Sequence, residues 1–93
     1  MALRFTWDAR KAAANLRKHG VEFSEATTAF DDPLSITIPD PSHSLGEQRF
    51  LLIGLTQRGR LVVVAHAERG SDIRIISARA ATRSERQAYE EDQ

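Results

Sequence analysis

The chain lacks cysteine altogether and has one methionine, one tryptophan, one tyrosine and three prolines in 93 residues. Without cysteine there is no disulfide framework, no thiolate metal site and no thiol nucleophile. No apolar run approaches the ~18 residues of a membrane span, which argues against an integral helical membrane protein and a membrane partner. The N-terminus, MALRFTWDARK, lacks the apolar stretch of a secretory signal, so the expected address is the cytoplasm. No internal repeat, low-complexity tract or linker is present, and a single domain over residues 1–93 is expected. What remains is ordinary for a soluble globular protein, with 41% hydrophobic and 28% charged residues. Lys+Arg and Asp+Glu both number 13, so the formal net charge is zero. Taken as a sum, that balance argues against a nucleic-acid partner.

The charges are not evenly mixed. Residues 1–19 carry Arg4, Arg10, Lys11, Arg17 and Lys18 against Asp8 alone. Residues 20–48 carry Glu22, Glu25, Asp31, Asp32, Asp40 and Glu47 and no base. After Arg49, residues 50–86 hold seven arginines against Glu68, Asp72 and Glu85, and the tail ends in Glu90, Glu91 and Asp92. In the second half every base is arginine, the side chain suited to planar, bidentate contacts with phosphate or carboxylate. A solvated surface laced with salt bridges has the same composition.

Periodicity places the elements. Leu3 to Trp7 reads as a short edge strand. Asp8 can cap a helix running to about His19, with Ala9, Ala12, Ala13 and Leu16 on one face and Lys11, Asn15 and Lys18 on the other. Gly20 suits the left-handed position past its end. Ser24 is the expected cap of a second helix through Phe30, stopped at Asp31-Asp32-Pro33. Leu34, Ile36 and Ile38 then alternate with polar residues, as in a strand. Phe50–Thr56 and Leu61–Ala67 form an expected hairpin around Gln57-Arg58-Gly59-Arg60. Ile73–Ala78 is a further strand, and Thr82-Arg83-Ser84-Glu85 has the spacing of a capping box opening a C-terminal helix. The predicted class is α+β: an N-terminal strand and two helices, then an antiparallel, meander-like sheet and a C-terminal helix.

The densest polar set is His66, Glu68, Arg69, Arg74 and Arg79. Alternation puts His66 and Glu68 on the face of Val62 and Val64, with Arg69 on the other. On the next strand it separates Arg74 from Arg79. For both to serve one site, a bulge or a strand end must re-aim one of them. Carboxylate or imidazole can accept a proton from a hydroxyl, and guanidinium can stabilise charge on a phosphoryl group. Those are parts of a metal-independent RNA cleavage by the ribose 2′-hydroxyl, and equally of a sheet edge with cross-strand Glu–Arg pairs. His43 and Glu47 lie four apart, but Gly46 opposes the helix that would align them and no third ligand is evident, so no metal site and no cofactor are expected. His19 beside Lys18 suits a helix C-terminus. Trp7, Phe5, Phe23 and Phe30 read as core rather than a base-stacking platform.

A series of short motifs runs from Phe5-Thr6-Trp7-Asp8 through Lys11, Asn15 and Lys18-His19-Gly20-Val21-Glu22-Phe23. It continues in Phe30-Asp31-Asp32-Pro33, Asp40, His43-Ser44, Glu47 and Arg49. It ends in Glu68-Arg69-Gly70, Ile73-Arg74-Ile75-Ile76-Ser77-Ala78-Arg79, Ala81-Thr82, Glu85-Arg86 and Tyr89. Taken together and in order, these motifs resemble the BrnT toxins of bacterial type II toxin–antitoxin systems. Ala67 stands where the family often has threonine.

The resemblance implies a RelE-like fold and a ribonuclease that blocks translation. It also implies a BrnA-like ribbon-helix-helix antitoxin, through which alone the complex would touch operator DNA. By motif match the active-site residues become Glu68, Arg69, Arg74 and Arg79. The resulting expectation has Glu68, or else His66, deprotonating the 2′-hydroxyl while Arg69, Arg74 and Arg79 hold the phosphate. Lys11 and Lys18 would extend the RNA contacts. The rival from another class is a non-catalytic module that binds its antitoxin and acts as co-repressor.

Overall fold

The computed structural model describes residues 3–40 and 48–92. The reading of His43, Ser44 and Glu47 lies outside the described residues. The elements are β1 (Arg4–Thr6), α1 (Ala9–His19), α2 (Phe23–Thr28) with a 3₁₀ turn (Ala29–Asp31), β2 (Ile36–Pro39), β3 (Arg49–Leu55), β4 (Leu61–Arg69), β5 (Asp72–Ala80) and α3 (Arg83–Glu91).

The five strands form one sheet in the order β1-β5-β4-β3-β2. From β2 to β5 it is the antiparallel meander expected from the alternating runs. β1 departs from that expectation: it pairs with β5 in parallel, Arg4 opposite Asp72 and Thr6 opposite Arg74. The sheet is therefore mixed. The chain leaves β1, crosses one face as α1 and α2, and re-enters at the far edge as β2, so β1 is left beside the last strand.

The α1–α2 layer buries one face of the sheet. Val21, Phe23, Ala26 and Ala29 pack on Leu52, Val62, Val64, Ile73, Ile75 and Ala78, with Phe5, Ala12 and Phe30 at the margin. A smaller cluster on the opposite face gathers Ile53, Leu61 and Val63 under Ala81 and Tyr89 of the α3 segment. Apolar burial on both faces is what makes β4 a nearly continuous hydrophobic run, Leu61–Ala67.

Local chemistry sets the ends. Asp8 caps α1, its Oδ1 accepting from the Arg10 N–H at 2.8 Å. Gly20 closes α1 at φ 71°, its N–H donating to Leu16, a conformation in which a Cβ would be strained. α2 begins two residues earlier than the Ser24 cap predicts, with Glu22 at the cap position, because Phe23 is drawn into the core and Ser24 falls inside the first turn. Thr82 and Glu85 form the reciprocal capping box of α3. Gly54 has a different reason. A Cβ there would lie 2.9 Å from the Ala29 carbonyl oxygen, so only glycine lets β3 approach the 3₁₀ turn.

Candidate functional site

A bulge decides which side chains share a face. Along β4 and β5 the register runs Val63↔Arg79, Val64↔Ala78 and Ala65↔Ser77, then shifts to His66↔Ile75 and Ala67↔Arg74. Ile76 is the extra residue on β5. Ladder partners point to the same side of a sheet. Arg79, Ser77 and Arg74 therefore all emerge on the outer face, with Val63, Ala65 and Ala67. Without the bulge Arg74 would point into the α1–α2 layer. The row through Arg74 continues to Arg49, opposite Ala67, and to Thr6. Arg69 lies on this outer side too, opposite Asp72, which is paired with Arg4 at 3.1 Å.

The outer-face arginines differ in their surroundings. Arg79 is held by Glu85 of α3 in a bidentate contact, Nη1–Oε1 2.7 Å and Nη2–Oε2 2.8 Å. That guanidinium, helped by the Thr82 N–H and hydroxyl and opposed by partial burial, holds the Glu85 carboxyl down at about 2. The pair fastens the start of α3 to the sheet. Arg74 is half-buried between β1 and β4 on the open part of the same face.

His66 and Glu68 occupy the other side, toward the helices. His66 is 1% exposed. Its ring stands edge-on to Phe30 at 4.9 Å and stacks on Phe50 at 5.8 Å. Nδ1 lies 3.2 Å from the Val64 carbonyl oxygen. A carbonyl only accepts, so Nδ1 carries the proton and Nε2 presents its lone pair. Nε2 faces Glu68 Oε2 at 3.8 Å. Burial pushes the imidazole pKa down, opposed by the Val64 carbonyl and the Glu68 carboxylate, so the ring is neutral at pH 7. Glu68, half-exposed, is the solvent end of this pair. The structure thus sets Glu68 beside His66 and puts Arg69, Arg74 and Arg79 on one face, with Arg79 six β4 positions along the sheet from Arg69, and places the two groups on opposite sides of the sheet. They approach only where β4 ends and Glu68 and Arg69 follow one another.

Lys11 and Lys18 are exposed on the flank of α1 along β5. Asn15 between them corrects the expected polar face. Its side chain is buried, donating to Val21 O at 3.0 Å and Ala78 O at 2.8 Å and accepting from the Ala78 N–H at 3.1 Å. Leu16, expected on the inner face, is 45% exposed. An amide able to give and take matches a strand's free edge better than a leucine does, and it sets the rotation of α1.

Two further polar clusters escape sequence reasoning. Glu25, in the acidic block, is buried and accepts from Arg60 and from the Thr56 hydroxyl at 2.8 Å. Asp32 accepts from the Tyr89 hydroxyl at 2.6 Å and from the Leu55 and Leu34 N–H groups. Glu25–Arg60 and Asp32–Tyr89 each join side chains more than 30 residues apart in sequence, and periodicity carries no signal for such pairs. Among the described residues no group of three His, Cys, Asp or Glu side chains is placed to hold a metal ion.

The sequence matches, over residues 7–85, the family described as ribonuclease toxin, BrnT, of type II toxin–antitoxin system. The chain belongs to the BrnT family. Its fold is also that of a solved BrnT, the Brucella abortus ribonuclease toxin. The TM-score is 0.68 at 22% sequence identity, over 88% of this chain and all of that one. At that identity the likeness is one of fold. No curated protein matches the sequence. Residues 68–79 lie within the matched span, on the end of β4, the turn after it and β5. As a toxin of a type II system, the protein has an antitoxin for partner.

Proposed function

We propose that the protein is an endoribonuclease that cleaves RNA without a metal, by attack of a ribose 2′-hydroxyl on the adjacent phosphodiester. The arginine face created by the bulge carries this reading. It sets Arg74 and Arg69 on one surface at the open end of the sheet, where guanidinium groups can neutralise the charge gained by the phosphorane-like transition state. Glu68 takes the 2′-proton as the 2′-oxygen bonds to phosphorus and the P–O5′ bond breaks, giving a 2′,3′-cyclic phosphate and a 5′-oxygen that takes its proton from water; His66, neutral with its Nε2 toward Glu68, accepts a hydrogen bond from the protonated carboxyl that results. RNA crosses the β4–β5 end, the place where Glu68 and Arg69 are adjacent. Arg79 joins the clamp when the phosphate displaces Glu85. The chain's contacts to the rest of the strand include Lys11 and Lys18.

In the cell this reading makes a RelE-like, cytoplasmic inhibitor of translation. It is silenced by a BrnA-like ribbon-helix-helix antitoxin, which alone contacts operator DNA. The test is cleavage of RNA in EDTA by the wild type beside Arg74→Ala and Glu68→Ala, with folding checked by circular dichroism. Each variant is expected to lose at least about 100-fold in rate, the scale on which single electrostatic or acid–base groups act. Cleavage that EDTA abolishes, or that both folded variants retain, overturns the mechanism.

A further inference from the structure

A groove at the open edge of β5 lies apart from the proton transfer and the arginine clamp above, and it holds both lysines that the reading gives to the rest of the RNA strand. β1 pairs with β5 only from Asp72 to Arg74, and Asn15 takes both backbone groups of Ala78. Between them the edge at the bulge is left to side chains of α1. The result is a cavity of about 220 Å³ lined by Lys11, Lys18, His19, Asn15, Ile76 and Ser77, with Ala14.

Its chemistry differs from that of the other clefts. The clefts near the β3–β4 turn and beside β2 are lined by Asp31 and Asp32, by Glu22 and Glu25, and by Asp40. The β5 groove contains no carboxylate. The chain has only two lysines among its 13 bases, and both line this groove. Neither ammonium is paired with a carboxylate among the described residues. Lys11 and Lys18 are seven residues apart, about 10 Å along α1, with buried Asn15 fixing the helix rotation that aims both at β5. Ser77 opens onto the outer face, on the ladder that also carries Arg74. No Phe, Tyr or Trp lines the groove, and the imidazole of His19 is the one ring among the lining side chains, so base stacking contributes little there.

Resting on the reading of the protein as a ribonuclease, we propose that this groove is a second phosphodiester subsite. It grips the backbone of a single RNA strand away from the cleaved bond, with no preference for base. The lysines act as mobile point charges on successive phosphates. The His19 imidazole and Ser77 hydroxyl add hydrogen bonds, and the strand passes from the groove round the edge of β5 to Arg74.

The experiment measures binding of a fully 2′-O-methylated RNA oligonucleotide, which has no 2′-hydroxyl to attack, by fluorescence anisotropy across a salt series. The full-length wild type is compared with Lys11→Gln/Lys18→Gln and, as a control on α3, Arg83→Gln/Arg86→Gln. The lysine pair is expected to bind at least about 10-fold more weakly. Its log K against log salt slope should fall by about 1.4, two charges at single-strand counterion release. The α3 control should stay within about 2-fold of wild type. Wild-type binding through the lysines without RNA cleavage leaves the groove standing and removes the cleavage chemistry. Normal cleavage with unchanged affinity, slope and KM in the lysine variant removes the groove and leaves the chemistry. A lysine variant that keeps RNA affinity but no longer binds the antitoxin also overturns the proposal, by assigning the groove to a protein partner.

Discussion

Asn15 shows how much one side chain settles. Its amide completes the hydrogen bonding of Ala78 where no strand does, and ties Val21 at the start of the next segment. Asn15→Ala strands three backbone groups, each costing about 1–3 kcal/mol when buried without a partner. The variant is expected to lose at least about 2 kcal/mol, read as a lower urea midpoint with an unchanged slope. Nothing in the sequence marks this. An asparagine four residues from one lysine and three from another reads as helix surface. Arg79 illustrates the converse. Its type and spacing suggest a phosphate ligand, and its neighbour Glu85 is a helix cap in sequence terms, yet the two meet as a bidentate pair.

At the scale of elements, the C-terminal helix and the β3–β4 turn are each held by polar clamps. α3 has no fully buried residue and is attached through Arg79–Glu85 at its start and Tyr89–Asp32 near its end. Tyr89→Phe removes the second clamp and leaves the ring in place. A hydrogen bond to a charged acceptor contributes about 1.5–3 kcal/mol, which here governs local opening. The variant should be cut faster by trypsin after Arg83 and Arg86, while cleavage in β4 and β5 stays slow. Equal nicking of wild type and variant at those sites would show that the clamp does not hold α3. The turn clamp is firmer because Glu25 is buried. Glu25→Gln should destabilise the whole fold by about 2–3 kcal/mol in a thermal or denaturant melt. That is below the usual cost of breaking a buried pair, since Arg60 is half-exposed. The existence and order of these elements were legible from caps, turns and periodicity. The clamps were not, since each joins side chains from elements that only tertiary folding brings together.

For the molecule as a whole, zero net charge conceals an arrangement. Two of the acidic block's carboxylates turn inward or across, Glu25 to Arg60 and Asp32 to Tyr89. The basic blocks are brought side by side at the Asn15–Ala78 contact, which sets α1 against β5. Acid should expose this internal use of carboxylates. Glu25 is held below its ordinary range chiefly by Arg60, and Glu85 is held down to about 2 chiefly by Arg79. Asp32 is also lowered, burial being outweighed by Tyr89 and two backbone N–H groups. A carboxyl depressed in the folded state stabilises above its unfolded pKa and loses that contribution as pH falls through the folded one. Stability should therefore hold near neutrality and decline from about pH 4.5, the ordinary value for glutamate, toward pH 2. Glu85→Gln should be less stable at pH 7 and show a shallower decline over that window, followed by urea midpoints at successive pH values. Parallel pH curves for the two proteins would remove Glu85 from the acid response.

The sequence by itself determined the helices and strands, the membership in the BrnT family and the residue types from which a site can be built. Caps, turn glycines and hydrophobic period are local, and motif order survives without coordinates. The tertiary structure decided which side chains share a surface. One extra residue on β5, Ile76, reverses the face of everything before it in the strand and delivers Arg74 to the side of Arg79. Its physical cause lies in how two strands pair, and strand pairing is a property of two segments at once.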